Sequence, residues 1–369
     1  MTVEPGRIDE LRARYDGWGL ASRRIEVGLL EDEVEAMFDR GWTDGLPVVA
    51  PTEARVARML DGTTRSADDV VALMPPALVE CTVEKVAVNA VMAGCRPEYL
   101  PVVLAALEAI CTDEFNMHGV LATTMGVGPV FVVNGPIAER IGMNAGINVL
   151  GHGNRANLTI GRAVQLVVRN VGGGRPGEID RATHGSPAKL SFCFAEDEAY
   201  ADRDGGSPWT TLAEDRGFAR STDVVTAFCG EAPRILVDQR SRTADSLVRS
   251  LADGLRAAVS SRVVTGMDGM LVLSPEHMSR FADADWDRAR FMDELGAHLM
   301  VDTDAIVSGA GGIEEGLPEA MAGLTLPKFR PGGLLVVHAG GPAGLFSSIV
   351  GGWLNGPMGS EPTSMEITP

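Results

Sequence analysis

Short apolar runs rich in β-branched residues punctuate the chain: VFVV at 130–133, then residues 190–194, 224–228, 270–274 and 334–338. Runs of this length, bounded by Gly, Pro or polar residues, predict buried strands. Most end in a small or polar loop (FCGEAP, LVLSPEH, LVVHAGGPAG) and then feed a helix-like pattern. Repetition of strand, polar loop and helix predicts an α/β fold: a mixed or mostly parallel sheet with flanking helices.

Helical spacing appears elsewhere. Leu11, Tyr15, Trp18 and Leu20, then Val27, Leu30, Val34 and Phe38, predict a helical N-terminal arm over 1–40. Thr52 is placed to cap a helix at 53–60. Residues 81–92 and 98–110 read as two helices joined by Gly94-Cys95-Arg96-Pro97. Residues 41–354 form one α/β body, and the polar 355–369 reads as a flexible tail. The acidic, Gly-bearing 196–208 is a lid or an exposed connection. An echo links VVNGPIAERIG (132–142) to VVHAGGPAGLFSSI (336–349); it reads as a duplication or as two uses of a good Gly-Pro turn.

Composition narrows the partners. The chain of 369 residues carries 32 Lys plus Arg against 50 Asp plus Glu, a net charge of −18, with no basic run, which argues against nucleic acid or an anionic membrane. The charged N-terminus does not read as a signal peptide, and no apolar stretch predicts a membrane span. A cytoplasmic location is therefore expected. An odd count of five cysteines in that setting argues against a disulfide framework.

The densest chemical signal is 142–174 (GMNAGINVLGHGNRANLTIGRAVQLVVRNVGGG). Glycines admit close backbone approach, and asparagine and arginine supply directed hydrogen bonds. Asn148, Asn154, Arg155 and Asn157 are candidate contacts to a polar, carboxylated small molecule, with Asn157 capping a helix at 158–168 whose amides add an anion site. The competing reading is a loop whose asparagines bond their own backbone. Asn134, closing a strand, His184, in an Asp-Arg-Ala-Thr-His-Gly turn, and His338, Gly340 and Gly341, in a strand-to-helix glycine turn with Ser347 and Ser348 in its first helical turns, complete the candidate substrate site.

For chemistry, Cys81 and Glu84 are three apart at a helix start, where a thiol's pKa falls, and Cys95 lies in the following connection. With His118 or His152 as proton carrier, they predict nucleophilic, acid–base or redox work. Buried, inert cysteine is the alternative. The histidines form no HxH or HExxH pair, and Cys81, Cys95 and Cys111 match no common cluster spacing, so spacing gives no support for a metal, and metal and cofactor are left open. No GxSxG elbow is present.

At 41–51, 82–101 (TVEKVAVNAVMAGCRPEYLP), 115–161 and 192–196, and in the closing VVHAGGPAGLFSSIVGGW, the chain resembles a little-characterised bacterial family of hypothetical proteins. Its members are associated with small thioredoxin-like or selenoprotein-type partners bearing a Cys/Sec-Gly-Ser-Cys motif. The resemblance implies thiol or selenol redox chemistry and assigns no residue. The expectation is an enzyme, of lyase or oxidoreductase type, acting on a small polar metabolite. A non-catalytic subunit working with a small cysteine or selenocysteine protein, and a metalloenzyme with dispersed ligands, are the alternatives; a homo-oligomer is compatible with either.

Overall fold

The computed structural model describes residues 19–28, 30–198, 209–310, 313–316 and 321–369. Most of the acidic loop and the first half of the N-terminal arm lie outside the described residues. In chain order the elements are α1 (Glu33–Asp39), α2 (Glu53–Leu60), β1 (Val70–Met74), β2 (Val79–Thr82), α3 (Val83–Ala93), α4 (Leu100–Ile110), α5 (Met117–Ala122), β3 (Gly128–Asn134), α6 (Pro136–Arg140), α7 (Arg155–Asn170), β4 (Cys193–Ala195) and α8 (Leu212–Asp215). Then come β5 (Val224–Gly230), β6 (Arg234–Val237), α9 (Ala244–Arg256), β7 (Met267–Leu273), α10 (Pro275–Ala282) and α11 (Arg288–His298). The chain continues through β8 (Met300–Asp302), β9 (Val307–Ala310), β10 (Ile313–Gly316), β11 (Thr325–Pro327), β12 (Leu334–His338), β13 (Phe346–Leu354) and β14 (Thr363–Glu366).

The apolar runs become one eight-stranded mixed sheet of order β12-β7-β13-β5-β3-β4, with β14 beside β5 and β6 beside β13. Pairs β12–β7 and β3–β4 are parallel; β13 is antiparallel to β7, and β5 to β3. Side-chain alternation sorts the residues onto two faces. Phe131 and Val133 of β3 face outward onto α3, α4 and α7, whereas Val130 and Val132 join Phe194, Phe228, Met270, Val272, Val337 and Val350 in a separate cluster. Leu271, Leu273 and Ile349 face a third cluster with α9, α10 and α11.

The cluster containing Val130 draws on β3, β4, β5, β7, β12 and β13 at once, so the sheet is wrapped around it. The two edge strands meet just past their C-terminal ends: the Asp197 N–H donates to the His338 carbonyl at 2.7 Å. The result is a partly closed barrel with helices on its outside, and its mouth lies where β3, β4, β7 and β12 end.

Three sequence expectations change. Of the expected helical arm, the described residues 19–28 carry no regular structure, and the helix among its described residues is Glu33–Asp39. The closing segment is not a frayed tail: β14 pairs with Val224–Ala227 of β5, and Ile367 is buried in the core. Ser347 and Ser348 are not in a helix but begin β13, so the echo with 132–142 breaks after the Gly-Pro turn. No helix among the described residues is long and apolar enough to cross a membrane.

Candidate functional site

The asparagine-rich stretch turns out to be a self-braced plug in the barrel mouth. Asn157 is buried; its Oδ1 accepts the Asn144 N–H at 3.0 Å and its Nδ2 donates to the Asn144 carbonyl at 2.9 Å. Asn144 in turn closes a small turn by accepting Gly146 N–H and donating to the Ile147 carbonyl. Asn148, at φ +59°, donates to the His152 carbonyl at 2.7 Å. Asn154, not Asn157, caps α7, accepting the Asn157 N–H at 3.0 Å, and its amide donates to the Gly142 carbonyl.

Arg155 is likewise committed, to the Gly94 carbonyl at 2.9 Å, and Arg162 makes a two-pronged bond to Asp44 at 2.7 and 2.8 Å. Asn154, Arg155 and Asn157 each have a backbone partner, so the stretch expected to cradle a ligand braces its own loop and the start of α7. Residues 144–151 lie across the mouth: the Asn144 carbonyl accepts from Ala195 N–H at one edge strand, and the Ala145 carbonyl from Gly340 N–H beside the other. Val149 drops from this loop into the barrel core.

The cysteine set does not converge. Cys81 lies within β2, and Thr82, the last residue of that strand, sits at the helix start and caps α3. Cys95 lies beyond the opposite end of that helix, past the left-handed Gly94 at φ +89°. Eleven helical residues separate them by about 16 Å. Cys81 is fully buried, and desolvation pushes its thiol up to about 11, with Lys85 only partly opposing. Cys95 is buried against the Thr159 carbonyl and is raised to about 12, again chiefly by desolvation. Neither is a thiolate near neutral pH.

Glu84 is buried and accepts the N–H groups of Ala21 and Ser22 at 2.9 and 2.8 Å, which pins the extended arm to α3. His118 is exposed in a cleft with Cys111 and Asn116, His184 in another with Glu231 and Arg234, and His152 is exposed at the loop tip. None of these meets another of the predicted acid–base groups. Among the described residues no three His, Cys, Asp or Glu side chains are grouped to hold a metal ion.

What the fold does assemble is a cleft of about 620 Å³ at the barrel mouth. Asn148, Gly340 and Gly341 from the sequence line it, together with Ser347 and Ser348, noted there only as helical-turn residues, and Ser274, which the sequence did not single out. Space at Gly341 is tight: a Cβ there would stand 3.0 Å from Ile147 Cγ1, which would have to give way. Ser274 precedes α10, yet no side-chain cap bond is made, and its Oγ is buried without a partner among the described residues. Three residues on, His277 Nδ1 stands 2.7 Å from Ser347 Oγ, and its Nε2 lies 3.3 Å from the Asp238 carbonyl.

Beside the cleft is a buried polar knot. Glu196 is fully enclosed at the end of β4; it accepts from Asn134 Nδ2 at 2.7 Å, Leu212 N–H at 2.8 Å and His338 N–H at 3.2 Å. Desolvation outweighs these bonds and the nearby Arg288, and raises its carboxyl to about 7. Asn134 shares its amide with Glu198 at 2.7 Å, while its Oδ1 is buried without a partner among the described residues. The His338 ring packs against Trp209 at 5.4 Å, and burial, with Arg288 adding to it, depresses its pKa to about 3. Asn134 and His338 therefore belong to the seam that closes the barrel and do not line the cleft.

The missed residues left faint traces: a Ser-Ser pair within an apolar strand, a histidine one turn into the helix after β7, and a glutamate at a strand end. Comparison of the chain with protein-family models, with curated proteins and with solved structures returns no match.

Proposed function

We propose that the chain is an enzyme acting on a small polar metabolite bearing a carboxylate or polarised carbonyl, held at the barrel mouth and transformed by acid–base chemistry. The observation that carries this reading is Ser274: an unpartnered, buried hydroxyl lining the cleft at the N-terminus of α10. A helix N-terminus presents free N–H groups and partial positive charge, so it favours an oxygen that carries negative charge. The Gly340-Gly341 turn leaves backbone beside that point without a side chain in the way. Ligands favour such positions, outside the C-terminal ends of parallel strands.

The proposal keeps the small polar metabolite expected from the sequence and gives the acid–base work to groups at the mouth in place of the cysteines, whose buried, raised thiols supply no nucleophile. The test is thermal stabilisation by acetate, succinate and citrate. At a hundred times its dissociation constant a ligand adds about 2.7 kcal/mol, which is readily seen. Stabilisation by one of these, lost in Ser274→Ala and in Gly341→Leu, is the expected result. No stabilisation by any of them, or stabilisation untouched by both substitutions, overturns the reading.

A further inference from the structure

The pair Ser347 and His277 calls for its own explanation. The two are 70 residues apart and meet because β13 lies antiparallel to β7, with Ser347 opposite Leu273 and α10 leaving directly after it. The Asp238 carbonyl beside His277 Nε2 can only accept, so the proton belongs on Nε2. Nδ1 then presents a bare lone pair, and the 2.7 Å contact is a hydrogen bond donated by the Ser347 hydroxyl. The Asp238 carboxylate fixes that carbonyl: it accepts from the Arg240 and Ser241 N–H groups and from Ser241 Oγ. A serine hydroxyl is thus aimed at a neutral imidazole whose far side is held, the arrangement that activates a weak nucleophile. Ser347 lines the same cleft as Ser274.

We propose that Ser347 is the nucleophile of an acyl transfer at this cleft, with His277 as its general base and a small ester or thioester as substrate. The proposal rests on the reading of the cleft as a substrate site and names the reaction performed there. Ser347 Oγ adds to the acyl carbon as its proton passes to His277 Nδ1. The oxygen of the tetrahedral intermediate is received by Ser274 Oγ–H and the N-terminal amides of α10. Collapse breaks the bond to the leaving alkoxide or thiolate, which takes the proton from His277. Water then gives a proton to His277 as its oxygen adds to the acyl carbon. The serine oxygen departs with that proton, and a carboxylic acid is released. Ser274 has this duty to perform because its hydroxyl is uncommitted, whereas that of Ser347 is already spent on the imidazole.

A fluorophosphonate probe tests this without knowledge of the substrate, since Ser347 Oγ would add to phosphorus and expel fluoride. Intact-mass measurement and peptide mapping of the full chain should show one adduct, on Ser347. The labelling rate should fall by about 100-fold or more in His277→Ala, as loss of a general base implies, and should be unchanged in His298→Ala, at the end of α11 and outside the cleft. Mapping on the unaltered protein gives the answer even where a variant fails to fold. Labelling on any other residue, or none in folded protein, overturns the proposal. Carboxylate stabilisation that persists when no adduct forms would leave the cleft as a substrate site and remove only the nucleophile.

Discussion

Glu196 offers the sharpest test of the barrel seam, through Glu196→Gln. Its carboxyl is moved from an ordinary 4.5 to about 7 by complete burial. The unfolded chain then loses this proton before the folded one does. Below about pH 4.5 both states hold the proton and ionisation costs nothing; between 4.5 and 7 stability falls as pH rises; above 7 the deficit is constant. At 1.36 kcal/mol per pH unit, that interval amounts to about 3 kcal/mol. Glutamine keeps the volume and cannot ionise. It also turns an NH₂ toward one of the N–H donors, a cost that is the same at every pH. Urea unfolding of both proteins from pH 5 to 8 therefore reads the carboxyl in the slope of their difference. His338 titrates alike in both and cancels. The native chain should lose up to about 3 kcal/mol relative to the variant as pH rises. A flat difference, or one of opposite slope, would refute the argument and mean that the three N–H donors hold Glu196 ionised.

Other expectations follow from the same geometry. Asn157→Ala strips partners from the half-buried N–H and carbonyl of Asn144 and should cost about 1–2 kcal/mol, with amide exchange accelerating across 144–151 before the rest of the chain. Unfolding curves and residue-level exchange check this; protection that persists in the loop would show that it is braced otherwise. Cys81, Cys95, Cys193 and Cys229 should resist iodoacetamide at pH 7 until the chain unfolds, because burial raises every one of these thiols. Fast alkylation of Cys81 or Cys95 in native protein would restore the thiol reading. Gly94→Ala forces a side chain into the left-handed cap of α3 and should cost about 1 kcal/mol by chemical denaturation.

Strand existence was legible because buried strands need no partner to be recognised: 334–338 is uniformly apolar up to its histidine, and it is β12. The α/β class followed from how such runs alternate with helices. What failed depended on partners distant in sequence. Cys81 looked like a helix start because the antiparallel pairing of β2 with β1, which claims it, leaves no mark on residues 79–82 alone. The tail looked frayed because NGPMGSEPTSMEITP is polar and broken by proline, yet its short strand finds β5 some 140 residues earlier. The asparagines read as an excess of donors and acceptors; Asn144, Asn148, Asn154 and Asn157 spend it on partners within 142–157, whereas Asn170 reaches Trp42 and Asn89. Ser347 and His277 are ordinary residues in ordinary elements until two strands align them.

The strand β5 also dictates an order of events during synthesis. Its first half is flanked by β3, made about a hundred residues earlier, and by β14, made about 140 residues later. Until residue 363 has left the ribosome, one side of Val224–Ala227 offers bare N–H and C=O groups. Such an unpaired edge is a template for other chains, and sheets built from distant segments close slowly. A nascent chain stalled before β14 would therefore carry most of its core and still be prone to association. Its yield should then respond to chaperone supply more than to substitutions in the cleft.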